Sequence, residues 1–269
     1  MKLTIHKQDT FISTGGRAFD PDGEVLLFIH GSGQSHLSWV LQGRFFANRG
    51  WQVLAPDLPG HGLSNGAPLG NIIELADWCK QLLEVAGVRR ATVIGHSQGG
   101  LVTMEMARRY PDQVSKIALI ACALSIPVNP ALLEMAKNKE AQAIAAMVSW
   151  GHDRTGHFHD HSMPGQSHVN FGQRLMANNP PGTLYTDLKA CVDYREGGSA
   201  AAEVSCPVLC VLAARDRMTP IKFGRLMAAA MPQASLKEIP EAGHMLPSEQ
   251  PLETNLALRE FFSQYLDTQ

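Results

Sequence analysis

The sequence predicts an α/β fold, a mostly parallel central sheet flanked by helices, with a helical and loop-rich insertion after the fourth parallel strand. Three observations predict it. Short apolar runs of strand length alternate with stretches whose apolar residues recur at helical spacing, the pattern of a sheet covered on both faces. At 269 residues and 45% hydrophobic, the chain can bury one large core, which suits a single domain with an insertion better than two independent domains. The alternation then lapses after Cys122 and resumes near Pro207.

The first buried strand is Val25-Leu26-Leu27-Phe28-Ile29 and the second Val53-Leu54-Ala55. The third spans residues 91–94 and the fourth is Ile117-Ala118-Leu119-Ile120, with two later ones at residues 208–212 and 236–239. Between them Ile72, Leu75, Ala76, Cys79, Leu82, Leu83 and Ala86 fall at helical spacing, as do Leu258, Phe261, Phe262 and Tyr265 near the end. These stripes are core and imply no cofactor. Residues 101–109 read as a mostly apolar helix whose last turn carries Arg108 and Arg109, where cations suit the helix dipole.

The break in the pattern divides the chain into a core, residues 1–124 and 203–269, and an inserted lid, residues 125–202. The lid opens with a helical segment over residues 131–150, in which Leu132, Leu133, Met135, Ala136, Ile144 and Met147 divide between packing and pocket. A region rich in His, Gly, Pro and Asn follows and is expected to be mostly loop. An insertion of about 75 residues at this point lies beyond the carboxyl ends of the strands, where ligands bind in open α/β sheets.

A net charge of −2 with 18% charged residues gives no footprint for nucleic acid or an anionic membrane. The start, Met1-Lys2-Leu3-Thr4-Ile5-His6-Lys7, lacks the apolar core of a signal peptide, and no apolar run is long enough to span a bilayer. A cytoplasmic location is expected, and nothing here fixes the oligomeric state. The five cysteines, Cys79, Cys122, Cys191, Cys206 and Cys210, are scattered, odd in number and mostly in apolar surroundings. They read as reduced core residues.

Chemistry enters at Val93-Ile94-Gly95-His96-Ser97-Gln98-Gly99-Gly100. A strand that turns into a helix within so few residues forces its central residue into a strained, exposed position, and the flanking glycines relieve the crowding. Ser97 is therefore the candidate nucleophile. A serine hydroxyl needs a base to take its proton and an acid to orient that base. Asp216, in Ala213-Ala214-Arg215-Asp216-Arg217, and His244, in Glu241-Ala242-Gly243-His244-Met245, each follow a predicted strand and supply both, in the order Ser, Asp, His. Neighbouring Glu241 and Glu249 are expected to be solvated.

Acyl transfer also needs donors aimed at a developing oxyanion. One is the backbone N–H of Gln98 at a helix start; the other is expected from His30-Gly31-Ser32-Gly33-Gln34-Ser35 after the first strand, from Ser32 with Gly33 as the second choice. His30 reads as a brace for that loop. Gly33, Trp39, Trp150, Phe158 and Met245 are expected to line the substrate pocket. The lid run His152-Asp153-Arg154-Thr155-Gly156-His157-Phe158-His159-Asp160-His161, with His168 beyond, could hold a transition metal, but no cysteine or closing ligand of familiar spacing accompanies it. A polar loop or pocket wall is the expected role, with no metal and no cofactor.

Together His30-Gly31-Ser32-Gly33, Asp57-Leu58-Pro59-Gly60-His61-Gly62-Leu63-Ser64, Gly95-His96-Ser97-Gln98-Gly99-Gly100, Arg215-Asp216 and Gly243-His244 resemble the α/β-hydrolase fold superfamily, in its esterase-like branch of lidded single-domain serine hydrolases. The resemblance covers nearly the whole chain and is weakest in the lid. It implies that Asp57 and His61 are structural, within a turn that braces the sheet edge. It also implies hydrolysis of an ester, thioester or lactone, and the apolar faces of the lid helix point to a small or medium, largely apolar acyl substrate. Dehalogenases and epoxide hydrolases of that fold carry an aspartate where Ser97 stands. Carbon–carbon bond hydrolases tend to carry an asparagine where His96 stands, but they remain open, as do hydroxynitrile-lyase-like chemistry and a ligand-binding receptor with vestigial hydrolysis.

Overall fold

The computed structural model describes residues 1–154 and 167–264. Eight strands form one sheet: β1 (Lys2–Ile5), β2 (Gln8–Ser13), β3 (Val25–Ile29), β4 (Gln52–Pro56), β5 (Ala91–His96), β6 (Val114–Ile120), β7 (Val208–Ala213) and β8 (Ala234–Ile239). Their spatial order is β1-β2-β4-β3-β5-β6-β7-β8, with β3 to β8 parallel and the first two strands antiparallel at one edge.

The strand period of two decides which side chain meets which helix layer. Val25, Leu27 and Ile29 of β3 join one core cluster with α2 (Ile72–Val85) and α3 (Gln98–Arg109). Leu26 and Phe28 join the opposite cluster with α1 (Val40–Ala47) and the carboxyl-terminal helix. All five residues are buried, which explains why β3 reads as a continuous apolar run.

The β1–β2 hairpin is absent from the expectations above. Each strand buries few side chains, and the turn residues His6 and Lys7 take φ 49° and 65° without the Asn or Gly that usually marks such a turn.

Between β6 and β7 the chain forms α4 (Pro130–Asn138), α5 (Glu140–Gly151), α6 (His168–Ala177), α7 (Thr183–Asp193) and α8 (Gly197–Glu203). The single helix expected over residues 131–150 is broken at Lys139, whose backbone leaves the helical region at φ −146°, ψ 52°. Among its described residues, the stretch expected to be loop-rich holds three further helices. Its loop-forming residues sit at helix ends: Ser167 caps α6 through its side chain, Asn178 closes it, and Gly182 at φ 87° opens α7. Leu132, Ile144, Met147, Leu175, Met176, Leu184 and Leu188 give these helices a small core of their own. The chain closes with α9 (Ile221–Ala229), the one-turn α10 (Leu246–Glu249) and α11 (Pro251–Ser263). Tyr265 lies outside the described residues. Among the described residues no helix is long and apolar enough to cross a membrane.

Candidate active site

Ser97 stands between the end of β5 and the first residue of α3 at φ 54°, ψ −120°. This is a left-handed conformation costly for a residue with a Cβ, and it persists because the surroundings over-determine it. A Cβ at Gly95 would overlap the Gly99 carbonyl, and one at Gly99 would overlap the Ile29 carbonyl. Only glycine two residues to either side lets the turn pack this tightly. The Ser97 N–H is held by Ile120 O at 3.0 Å. The side chain is 8% exposed, so the serine is buried in a cavity wall rather than displayed at the surface.

Asp216 and His244 follow β7 and β8, and the parallel register brings their loops together. His244 Nδ1 donates to Asp216 Oδ2 at 2.8 Å. Asp216 Oδ1 accepts from the N–H groups of Met218 and Thr219, both at 2.8 Å, and the Thr219 hydroxyl lies 2.7 Å from Oδ2. Burial alone would raise the carboxyl pKa, but the His244 charge and the His244 and Thr219 hydrogen bonds outweigh it and hold Asp216 ionised below its ordinary range. Thr219 was not singled out in the sequence; an Asp followed by Thr three residues on is a local-turn signal that could have found it.

Two buried histidines brace the loops around these groups. His30 Nδ1 donates to Gly31 O at 3.0 Å and its Nε2 accepts from Leu58 N–H at 3.1 Å, so the ring is neutral. Burial lowers its pKa to about 4, with His61 as the next cause. His96 Nε2 donates to the His244 carbonyl at 2.8 Å, and burial and then His244 push its pKa down to about 3.

Glu249 departs from the solvated role expected of it. Its carboxylate accepts from Asp153 N–H at 2.8 Å and Gly243 N–H at 3.2 Å, and burial raises its pKa to about 7 despite those bonds. Glu241 is exposed and pairs with Arg215.

Of the residues expected to donate to an oxyanion, Ser32 and Gln98 stand side by side, Ser32 Oγ lying 3.3 Å from Gln98 Oε1. Gln98 opens α3, where a helix has no carbonyl four residues back to engage its N–H. Gly33 is different: its N–H donates to Asp187 Oδ2 at 2.7 Å. It is therefore occupied, and the second choice for an oxyanion donor falls away.

A cavity of about 400 Å³ is lined by Ser32, Gln34, Ser97, His244 and Met245 from the core and by Leu132, Met147, Trp150 and Leu188 from the insertion, among others. Of the expected pocket residues, Trp150 and Met245 line it and Gly33 and Trp39 do not. Trp39 is 1% exposed and packs on Phe28, ring centres 5.1 Å apart, because the short 3-10 turn that carries it (His36–Trp39) directs it into the sheet face. Phe158 lies outside the described residues, as do His157, His159 and His161. His152 and His168 stack with ring centres 6.0 Å apart and, with His96 and Phe171, line a second, smaller cavity of about 40 Å³. Gln34 and Met245 line both cavities, and Gln34 Nε2 lies 3.2 Å from Met245 Sδ.

Comparison with known proteins agrees with this architecture. Protein ABHD8 of Bos taurus is 28% identical over 243 residues, covering 88% of this chain and 55% of its own length, so the chain spans about half of that relative. A pimeloyl-[acyl-carrier protein] methyl ester esterase of Chromobacterium violaceum is 28% identical over 246 residues, covering 87% of this chain and 90% of its own. The crystal structure of the enol-lactonase from Burkholderia xenovorans LB400 superposes with a TM-score of 0.84 at 18% identity, over 98% of this chain and 100% of that one, and shares the fold. Residues 26–257 match the alpha/beta hydrolase family, and the chain belongs to that family.

Proposed function

We propose that this protein is a serine hydrolase that cleaves an ester-like bond, in a carboxylic ester, thioester or lactone, through Ser97, His244 and Asp216. One observation carries the reading: a serine held at φ 54° shares a cavity with a histidine whose other ring nitrogen is bonded to an ionised, buried aspartate. Those are the parts that acyl transfer requires, in the roles it requires.

In this reading His244 Nε2 takes the Ser97 hydroxyl proton as Oγ bonds to the substrate carbonyl carbon. The carbonyl oxygen becomes an oxyanion facing the Ser32 and Gln98 N–H groups. The same proton then passes from His244 to the leaving alcohol, thiol or alkoxide as the bond to it breaks. Water, deprotonated by His244, adds to the acyl-enzyme, and collapse of the second oxyanion returns the proton to Ser97 and releases the acid. Asp216 stays ionised throughout and stabilises the imidazolium that forms twice per cycle. No step calls on a cofactor.

The insertion, residues 125–202, acts as a lid: Leu132, Met147, Trp150 and Leu188 give the chamber an apolar wall, which favours a small or medium, largely apolar acyl group. The named activities of the similar proteins, esterase and enol-lactonase, support the ester-like class.

The test is a fluorophosphonate probe read by intact-protein mass spectrometry, with Ser97→Ala alongside, then short- to medium-chain aryl esters and thioesters. Labelling of Ser97 with ester turnover is expected. Labelling without turnover of any ester or thioester would favour the lyase or carbon–carbon alternatives, and turnover by Ser97→Ala would overturn the mechanism.

A further inference from the structure

Asp187 lies on α7, inside the insertion, yet its carboxylate serves the core. Oδ2 accepts from Gly33 N–H at 2.7 Å and from His61 Nε2 at 2.8 Å, and the Asp187 and His61 side chains are each 1% exposed. The surroundings favour protonated His61: its Nδ1 faces the Pro59 carbonyl at 3.0 Å and its Nε2 faces the Asp187 carboxylate, and these acceptors raise its pKa above the ordinary value against burial. A buried pair of this kind contributes little net stability, because desolvation of two charges offsets most of their attraction. What it fixes is position.

The neighbouring contacts converge on the same loop. Asn179 Nδ2 donates to the Gly33 carbonyl at 2.6 Å while its Oδ1 accepts from Gly62 N–H at 2.9 Å. The Asp187 carbonyl accepts from Gln98 Nε2 at 3.2 Å, and one turn further along α7 Cys191 Sγ lies 3.8 Å from Ser32 Oγ. Both residues assigned the oxyanion N–H groups are thus touched by α7, and both polar groups of the Gly33 backbone are held by the insertion.

We propose that Asp187 is a positioning residue for the oxyanion site. Through Gly33 N–H it fixes the loop that carries the Ser32 N–H, so the insertion and the core complete the site together. The inference rests on the serine-hydrolase reading above. Its physical force comes from how sharply oxyanion donors depend on placement: one donor contributes on the order of 10²- to 10³-fold in rate, and a displacement of about 1 Å forfeits much of it.

The experiment compares Asp187→Asn, Asp187→Glu and Asp187→Ala in the full chain, with folding checked by near-ultraviolet circular dichroism. Two rates are read: phosphonylation of Ser97 by a fluorophosphonate, and kcat and KM for p-nitrophenyl acetate. Asn keeps an oxygen at the same reach, able to accept both N–H groups. Glu keeps the charge that pairs with His61 but adds a methylene that displaces the loop.

Asp187→Asn should remain within about threefold of the unmodified protein, while Asp187→Glu should lose about 10- to 100-fold in both rates with KM within about twofold. Asp187→Ala, if folded, should fall with the Glu variant; if it does not fold, the Asn and Glu pair still decides. Asp187→Glu as active as the unmodified protein, or more active than Asp187→Asn, would overturn the proposal, since charge rather than position would then be what matters. Failure of the unmodified protein to label at Ser97 would instead overturn the serine-hydrolase reading.

Discussion

His96 Nε2 donates to the backbone carbonyl of His244 across 2.8 Å, so the residue before the proposed nucleophile holds the backbone of the proposed base. The contact joins the end of β5 to the loop after β8, although β6 and β7 stand between those strands in the sheet. His96→Ala should leave a buried carbonyl without its donor, at a cost of about 1–3 kcal/mol. It should also free the His244 loop enough to lower kcat by roughly tenfold or more. Thermal unfolding and steady-state kinetics on one aryl ester check the two halves; loss of stability with kcat intact would show the contact to be purely structural.

Asp216→Asn keeps the shape of the site and removes the charge. Turnover should fall on the order of 10⁴-fold, as a wrong histidine tautomer is selected and the imidazolium goes unstabilised. The same substitution has a stability signature. Because the folded-state pKa of Asp216 is depressed, its contribution is present above the unfolded value of about 3.9 and is lost as pH falls through the folded one. Urea titrations at a series of acidic pH values should show a shallower loss of stability in the variant than in the unmodified protein.

The His61–Asp187 pair runs the other way. Burial pushes the His61 pKa down, but the Asp187 charge and hydrogen bond, with the Pro59 carbonyl, overcome it and raise the value above that of a free histidine. Its contribution is therefore fully present below about pH 6.5 and is lost as pH rises through the folded value. His61→Gln should flatten the decline in urea midpoint measured from neutral to alkaline pH. An unchanged slope would mean that another group titrates there.

Met245 and Gln34 stand at the boundary of the 400 Å³ chamber and the 40 Å³ side cavity. Met245→Ala should join the two spaces. The ratio of kcat/KM for hexanoate over acetate esters should then rise on the order of threefold or more, since each added methylene gains contact in a hydrophobic pocket. An unaltered chain-length profile would place the acyl group elsewhere in the chamber.

Gly95→Ala tests the elbow itself. Its new Cβ has no space beside the Gly99 carbonyl and the Thr103 hydroxyl, and the cost should be about 3 kcal/mol or more. A melting temperature close to that of the unmodified protein would show that β5 and α3 can separate without penalty.

Strands β3 to β7 were legible because they are buried on both faces and their apolar runs have strand length, whereas β8, at the sheet edge, is mostly exposed and shows only a short apolar signal. The candidate site was legible where chemistry follows a strand end: Ser97, Asp216 and His244 each sit in a loop whose strand could be read. The contributors from the insertion were not. Asp187 is one carboxylate in an amphipathic helix, far in sequence from Gly33 and His61, and nothing local marks it as their partner. Glu249 reads as a surface acid, because the N–H groups of Gly243 and Asp153 that engage it belong to loop backbone. His61 reads as structural from its motif alone, and its preference for the charged form follows only from the acceptors on both sides of its ring.

The long segment between β6 and β7 also bears on the order in which the candidate site assembles as the chain folds. Ile117 on β6 pairs with Val208 on β7, which closes a loop of roughly 90 residues before the sheet is whole. Such distant pairings form late, after local hairpins and helices. The Gly33 loop, far from α7 in the sequence, meets its Asp187 and Asn179 partners only through a further long-range contact, the docking of α7 on the core. Recovery of turnover in a refolding experiment should therefore trail the return of helical signal, with catalysis reporting the last long-range closure rather than the bulk of the secondary structure.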